Sequence, residues 1–358
     1  WLLQAGGWRW IFLINVPVAA VTGWATWRHV PESRDVTSSG RADWPGALAG
    51  AAALAATTYA IIVLPGAGVR SPGFAAATVL ALLSSAVFAV AERRASHPML
   101  PPAIFAPAQF RAANAVTFVV NGALGGFAFV FIPALEIIAG YSPVVAGSAL
   151  VPVTVVTMLL SGPSGRLAQR IGPRPQIVAG CLVCAVASTL AVRIGSHAGY
   201  WTAVFPVAVL FGLGLASLIP PLTASAMNSA PDTLAGLASG VNNAVARVAG
   251  LLWIAALPPI TGLTGAAYTD PAQFRSSFAQ ISWICAAAFA CAAAIAATFI
   301  TRPRPTPAPG TALIQTPVPH LACPVAFGHA SGQTRRPDNS PTSDPSRAAD
   351  PPSPGRPG

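Results

Sequence analysis

Hydrophobic positions in this chain come in long runs. Stretches of about twenty apolar residues, each enough to cross a bilayer core as a helix, alternate with short polar or Gly/Pro-rich gaps. They predict nine membrane helices, over residues 10–27, 45–65, 73–91, 113–138, 144–162, 176–194, 201–226, 236–258 and 278–300. The fourth and seventh runs are long enough to tilt or bend, and Pro206, Pro220 and Pro221 mark bends in the seventh.

Composition explains why these runs cannot be the core of a soluble globule. Apolar residues make up 54% of the 358 and charged ones 8%, with a mean hydropathy of +0.61. So little charge cannot coat a water-soluble surface of this size. The net charge is +10, and because no lysine occurs, all 20 basic residues are arginine. A nucleic-acid-binding chain gathers its basic residues on one folded face. Here they fall in the gaps between apolar runs, which argues against nucleic acid and makes the lipid bilayer the first partner.

The arginines also orient the chain. Gaps after the first, third and fifth runs hold Arg28, Arg34 and Arg41, then Arg93, Arg94 and Arg111, then Arg166, Arg170 and Arg174. The alternate gaps hold Arg70, none, Arg193 and Arg275. Short Arg-rich loops stay in the cytoplasm, so Trp1 is expected outside, and Arg302, Arg304 and the C-terminus inside. The gap between the seventh and eighth runs, with Asp232 and no arginine, adds nothing to this. An outside start on Trp1 fits a chain that follows an odd number of upstream spans.

The remaining chemistry is sparse. Cys181 and Cys184 have CxxC spacing but lie inside an apolar run without a second pair, which reads as a packed helix face rather than a metal or redox site. Cys285 and Cys291 are also in a run, and Cys323 is in the tail. All five histidines, at 29, 97, 197, 320 and 329, lie in gaps or the tail. With no HExxH and no nucleophile beside a base, neither an enzyme nor a cofactor is expected. From residue 301 to 358 proline is too dense for a core, so this segment is expected to be a disordered cytoplasmic tail.

Two ionisable groups within the runs are candidates for function, because a charge in lipid is costly. Arg247 lies roughly 16 Å along its helix from Gly236, near the bilayer midplane. At 100° per residue it shares a stripe with Gly240, Asn243 and Gly250. Glu136 lies just before the outer break, in FVFIPALEIIAGYSP, and as a carboxyl within an apolar run is a candidate for proton coupling. Asn121, beside Gly122 and Gly126, is placed to bond across helices or touch a substrate, and Asn242 adjoins Asn243. Asp43 reads as the N-cap of the second helix, and Arg9 between Trp8 and Trp10 as an interfacial anchor, with Asn15 able to satisfy a carbonyl near Pro17.

The strongest local pattern is GPSGRLAQRIGPRP, between the fifth and sixth runs. Its Gly165, Leu167, Ala168, Arg170, Gly172 and Arg174 resemble the GxLADRxGRR loop of the major facilitator superfamily, with Gln169 at the acidic position and Pro173 replacing an arginine. GWRWIFLINVP at 7–17, GYSPVVAGSALVP at 140–152 and GLASGVNNAVARVAG at 236–250 are similar to the sixth, tenth and thirteenth spans of its fourteen-span drug/proton antiporter branch.

The resemblance implies an all-α polytopic membrane protein with the major facilitator fold and about nine of fourteen spans present. Residues 1–28 would be the last helix of the N-terminal half, 29–44 a linker, 45–91 the extra central pair, 92–112 a second linker, 113–300 the C-terminal six-span half and 301–358 the tail. It implies alternating-access efflux of amphipathic or cationic small molecules against protons. The inner membrane is the expected location and the missing N-terminal half of the same chain a partner. Arg247, Asn243, Asn242, Glu136 and Asn121 would serve transport, and Gly165, Arg166, Arg170, Gly172 and Arg174 a cytoplasmic latch. The rival expectation is a membrane protein of the same fold that senses or has decayed and does not transport.

Overall fold

The computed structural model describes residues 6–7, 9–29, 44–94, 100–196, 198–230 and 234–301, and these contain helices and turns but no strand. Asp43, Trp8 and the tail from 302 onward lie outside the described residues. Nine helical stretches among those described are long and apolar enough to cross a membrane. Helices are what such sequences require, because backbone groups in hydrocarbon must bond within their own segment.

The first stretch comprises α1 (Arg9–Leu13) and α2 (Asn15–His29), broken at Ile14, and neither buries a residue. The Asn15 amide donates to the Ile11 carbonyl at 3.3 Å, so it serves the break on the N-terminal side of Pro17. Next, α3 (Trp44–Ala67) and α4 (Pro72–Arg94) pack on each other through small residues, with Ala56, Ala60, Ala77 and Ala81 buried. This pair meets the rest of the structure through α3 against α10 (Ala235–Ile260).

The remaining helices form one bundle: α5 (Ala108–Ile137), α6 (Pro143–Ser148) leading into α7 (Val151–Ile171), α8 (Pro173–Ala191), α9 (Phe205–Met227), α10 and α11 (Pro271–Phe299). A π-helical turn, Tyr200–Val204, opens α9 and places Pro206 in its first turn, where a missing N–H costs nothing. Asp270 caps α11 by accepting from the amides of Ala272 and Gln273.

The pairing in this bundle follows a rule. Helix α5 packs against α10 and α11, α9 packs against α7 and α8, α8 packs against α11, and α5 touches α9. Exchanging α5, α7 and α8 with α9, α10 and α11 leaves this set of pairs unchanged. Directions agree as well. Thr117 and Gly125 of α5 meet Asn242 and Gly250 of α10 in rising order, a parallel pair, while Gln109 and Ala123 meet Thr301 and Cys285 in falling order, an antiparallel pair. On α9, Gly212 and Ala224 share walls with Thr157 and Ala168 of α7, again parallel. Two triplets of helices related by an inverting two-fold axis are the internal repeat of many transporter folds.

Aromatic rings hold the centre. Phe127 of α5 lies 4.7 Å from Phe211 of α9, centroid to centroid, and 6.2 Å from Phe278 of α11, and Phe211 lies 6.1 Å from Phe289. All four are buried. Cys184 of α8 packs where α9 has Gly214, and the Cys285 thiol of α11 reaches the Ala123 carbonyl of α5. The cysteines thus occupy equivalent close contacts in the two triplets. Cys181, Cys184 and Cys285 are buried free thiols, as a packed face requires.

Two readings of the sequence need correcting here. The fifth helix does not end near 162 but continues to Ile171, so Gly165, Arg166 and Arg170 are helical rather than part of a loop. The turn is Gly172 alone, at φ +87°, a conformation that favours glycine, and Pro173 starts α8 at once. Arg174 therefore stands in the first turn of a helix, not at a carbonyl end. The last helix likewise begins at Pro271, seven residues before the hydropathy run.

Candidate functional site on the open face of helix α10

Helix α10 has two unlike sides. One packs into the seam with α5 through Ala238, Val241, Ala249 and Leu257, all buried. The seam is tight, since a methyl group at Gly122 would strike the Trp253 indole and one at Gly126 would strike the Leu257 side chain. Small residues that let backbones approach are the usual means of joining helices in lipid. Gly250 belongs here, with its Cα only 3.1 Å from where a Gly125 methyl would sit. Gly250 thus keeps its angular place beside Asn243 and Arg247 but serves the contact with α5 at its own level of the helix.

One side-chain hydrogen bond crosses this seam, and a second, within α5, adjoins it. The Thr117 hydroxyl donates to the Asn242 side-chain oxygen at 3.0 Å, and the Asn121 amide donates to the Thr117 carbonyl at 2.9 Å. One turn below, the Asn114 amide donates to the Phe110 carbonyl at 2.9 Å, while its side-chain oxygen is buried without a protein partner. Asn121 and Asn242 are thus bonded to one helix contact. Neither Asn114 nor Thr117 was singled out from sequence, although the spacing 114, 117, 121 places three polar side chains on one side of an apolar helix.

The other side of α10 is open over its first half, while farther along Leu251, Ile254 and Ala255 share a pocket with Thr58 and Ile62 of α3. Gly236, Gly240, Asn243 and Arg247 are all exposed, and a methyl group on either glycine would meet nothing within 4 Å. Arg247 stands at the middle of the helix and makes no hydrogen bond or ion pair among the described residues. A guanidinium at the centre of a spanning helix costs roughly 2.5–3.5 kcal/mol even on insertion scales. A face that carries it, flanked by glycines and an amide, is built for water, ligand or another protein segment rather than lipid.

Glu136 is elsewhere. It is half-buried in the last turn of α5. The register of the parallel pair puts Arg247 level with Gly122, fourteen residues earlier, so the two charges are separated by about 21 Å along the axis. Arg247 and Asn243 form one group, Asn121 and Asn242 a second, and Glu136 stands alone.

The Gly172 turn borders a cavity of about 700 Å³ between the ends of α7 and α9 and the starts of α5 and α8. Gln109, Gln169, Asn228 and Thr301 give it a neutral polar lining, and Gln169 is the residue at the motif's acidic position. The Gln109 side-chain oxygen accepts from both the amide and hydroxyl of Thr301, clasping the ends of α5 and α11. Behind the turn, buried Gln176 of α8 donates to the carbonyl and hydroxyl of Ser164 on α7. Arg166, Arg170 and Arg174 are exposed around it. Among the described residues no cluster of three or more His, Cys, Asp or Glu is arranged to hold a metal.

Comparison with known proteins gives this arrangement its context. The chain is 32% identical over 263 residues to the methylenomycin A resistance protein of Bacillus subtilis (73% of this chain, 55% of that one). It is 30% identical over 270 residues to the multidrug resistance protein Stp of Mycobacterium tuberculosis (75% and 50%). It is 32% identical over 283 residues to the puromycin resistance protein pur8 of Streptomyces alboniger (75% and 55%). The chain spans about half the length of the curated relatives it matches. The profile of the Major Facilitator Superfamily matches residues 1–254, from the first helix through the open face of α10. With nine apolar helices among the described residues and an inverted pairing of two helix triplets, this multi-pass membrane protein belongs to the Major Facilitator Superfamily.

Proposed function

We propose that the chain forms part of a drug exporter of the fourteen-span branch, which moves amphipathic small molecules out of the cell against an inward flow of protons. The carrying observation is the open, unpaired Arg247–Asn243 face at mid-depth of α10, in a chain whose relatives are named for resistance to methylenomycin A, puromycin and multiple drugs. In this reading α5 to α11 are one six-span half, its open face lines a cavity shared with the other half of the protein, and transport is a rocking of the two. The α3–α4 hairpin is the extra central pair. The protein lies in the inner membrane with the Gly172 turn and the C-terminus in the cytoplasm. Gly165, Arg166, Arg170, Gly172 and Arg174 act there as a latch, and Glu136 passes protons near the outer surface.

Everted membrane vesicles from cells that make the protein test this, with a lipophilic fluorescent dye as probe and respiration as the energy source. Accumulation abolished by an uncoupler is expected, together with a drop of about tenfold in Arg247→Ala. Accumulation insensitive to the uncoupler would remove proton coupling, and full rates in both Arg247→Ala and Glu136→Gln would remove the site. No accumulation of any probe by a well-expressed protein favours the sensor reading.

A further inference from the structure

We infer that the open face of α10 recognises an anionic group, so that the preferred cargo is an amphipathic carboxylate rather than a lipophilic cation. The inference rests on the export reading for its setting, and on the local charge balance for its sign. Three acidic residues are described: Glu92, Glu136 and Asp270. Glu92 closes the end of α4 by accepting from the Leu100 amide, and Asp270 caps the first turn of α11. Glu136 is about 21 Å from the level of Arg247. No described carboxylate is therefore available to neutralise the guanidinium, which bonds to none of the described residues.

The surroundings suit a carboxylate. A guanidinium presents paired N–H donors that match the two oxygens of a carboxylate in a bidentate bond. Asn243, one turn away on the same face, adds an amide donor. Gly236 and Gly240 leave open space beside them, which gives the apolar body of the molecule access to the helix. A cationic amphiphile would instead bring a second positive charge to an unneutralised one in a site of reduced dielectric, where like charges repel strongly.

The test uses one dansyl scaffold with three endings: a carboxylate, a primary amide and a trimethylammonium. Binding is measured by fluorescence on the purified protein in nanodiscs, and accumulation in energised everted vesicles. The carboxylate is expected to bind about tenfold more tightly than the ammonium, with the amide between. Arg247→Gln should erase that order while leaving amide binding within about twofold, and Arg247→Lys should keep part of it. The unmodified protein carries the first comparison, so a variant that fails to fold does not shield the inference. Preference for the ammonium, equal binding of all three, or binding of none overturns it. Carboxylate-selective binding without energised accumulation would instead sink the export reading and leave the anion site standing. Energised accumulation with ammonium preferred would do the reverse.

Discussion

Thr117 on α5 and Asn242 on α10 are joined by a 3.0 Å hydrogen bond between side chains that lie on neighbouring parallel helices. The bond fixes which way α10 faces. With Asn242 turned into the seam, Asn243 is carried about 100° round the helix, and Arg247 follows it onto the open side.

Removing that bond should loosen the seam by a measurable amount. Interhelical hydrogen bonds in membranes average about 0.6 kcal/mol and reach about 1.7 kcal/mol. Thr117→Val and Asn242→Ala are expected to be non-additive by about that much in a double-mutant cycle read by reversible unfolding in mixed micelles. Strict additivity would mean the two side chains do not interact.

The same seam predicts a size limit. Gly126→Leu is expected to abolish stable assembly, because the added side chain claims the space of Leu257. Leu257→Ala in the same protein should restore part of it, read as the monodisperse fraction in gel filtration. Full stability of the single variant would place α5 and α10 further apart.

Water access should differ sharply between the sides of α10. In a background free of reactive cysteine, Asn243→Cys and Gly240→Cys are expected to react with a membrane-impermeant maleimide, and Ala249→Cys in the seam to stay protected. Equal protection of all three would mean the open face is covered by lipid or protein at all times.

Tyr141, outside the spans at the corner after α5, donates its hydroxyl to the Ala198 carbonyl at 2.7 Å. Burial first, and the nearby Tyr200 second, raise its pKa above the usual 10.0. A folded-state pKa above the unfolded one contributes stability below pH 10, and that contribution is lost as pH rises through the folded value. Tyr141→Phe is therefore expected to lower thermal stability at pH 8 by about 1 kcal/mol. It should also flatten the fall of melting temperature above pH 10, relative to the unaltered protein.

The hydropathy runs made the nine spanning helices among the described residues legible, because a helix that crosses lipid has to be apolar throughout its depth. Their ends were not legible. Arg166 and Arg170 prolong α7, and Gln273 and Arg275 belong to α11, since a helix that projects past the hydrocarbon tolerates charge there while a hydropathy window stops early. Arg247 was legible as a lone charge in an apolar run. The split between Asn242 and Asn243 was not, because it depends on which side meets α5, and only the pairing of Gly122, Gly125 and Gly126 with α10 decides that.

The exchange rule among the helices has a mechanical side. Helices α5, α8, α9 and α11 form a chain of mutual contacts through the middle of the bundle, whereas α7 is seated chiefly on α9, and α10 chiefly on α5. Those two outer helices are the ones with little of their length buried, 11% and 22% of their spanning windows against 50% for α5, α9 and α11. A helix seated chiefly on one neighbour has fewer packed contacts to give up when it tilts, although α10 also carries the contact with α3. The bundle thus amounts to a densely packed keel with two lightly seated planks, and Arg247 rides on one of the planks.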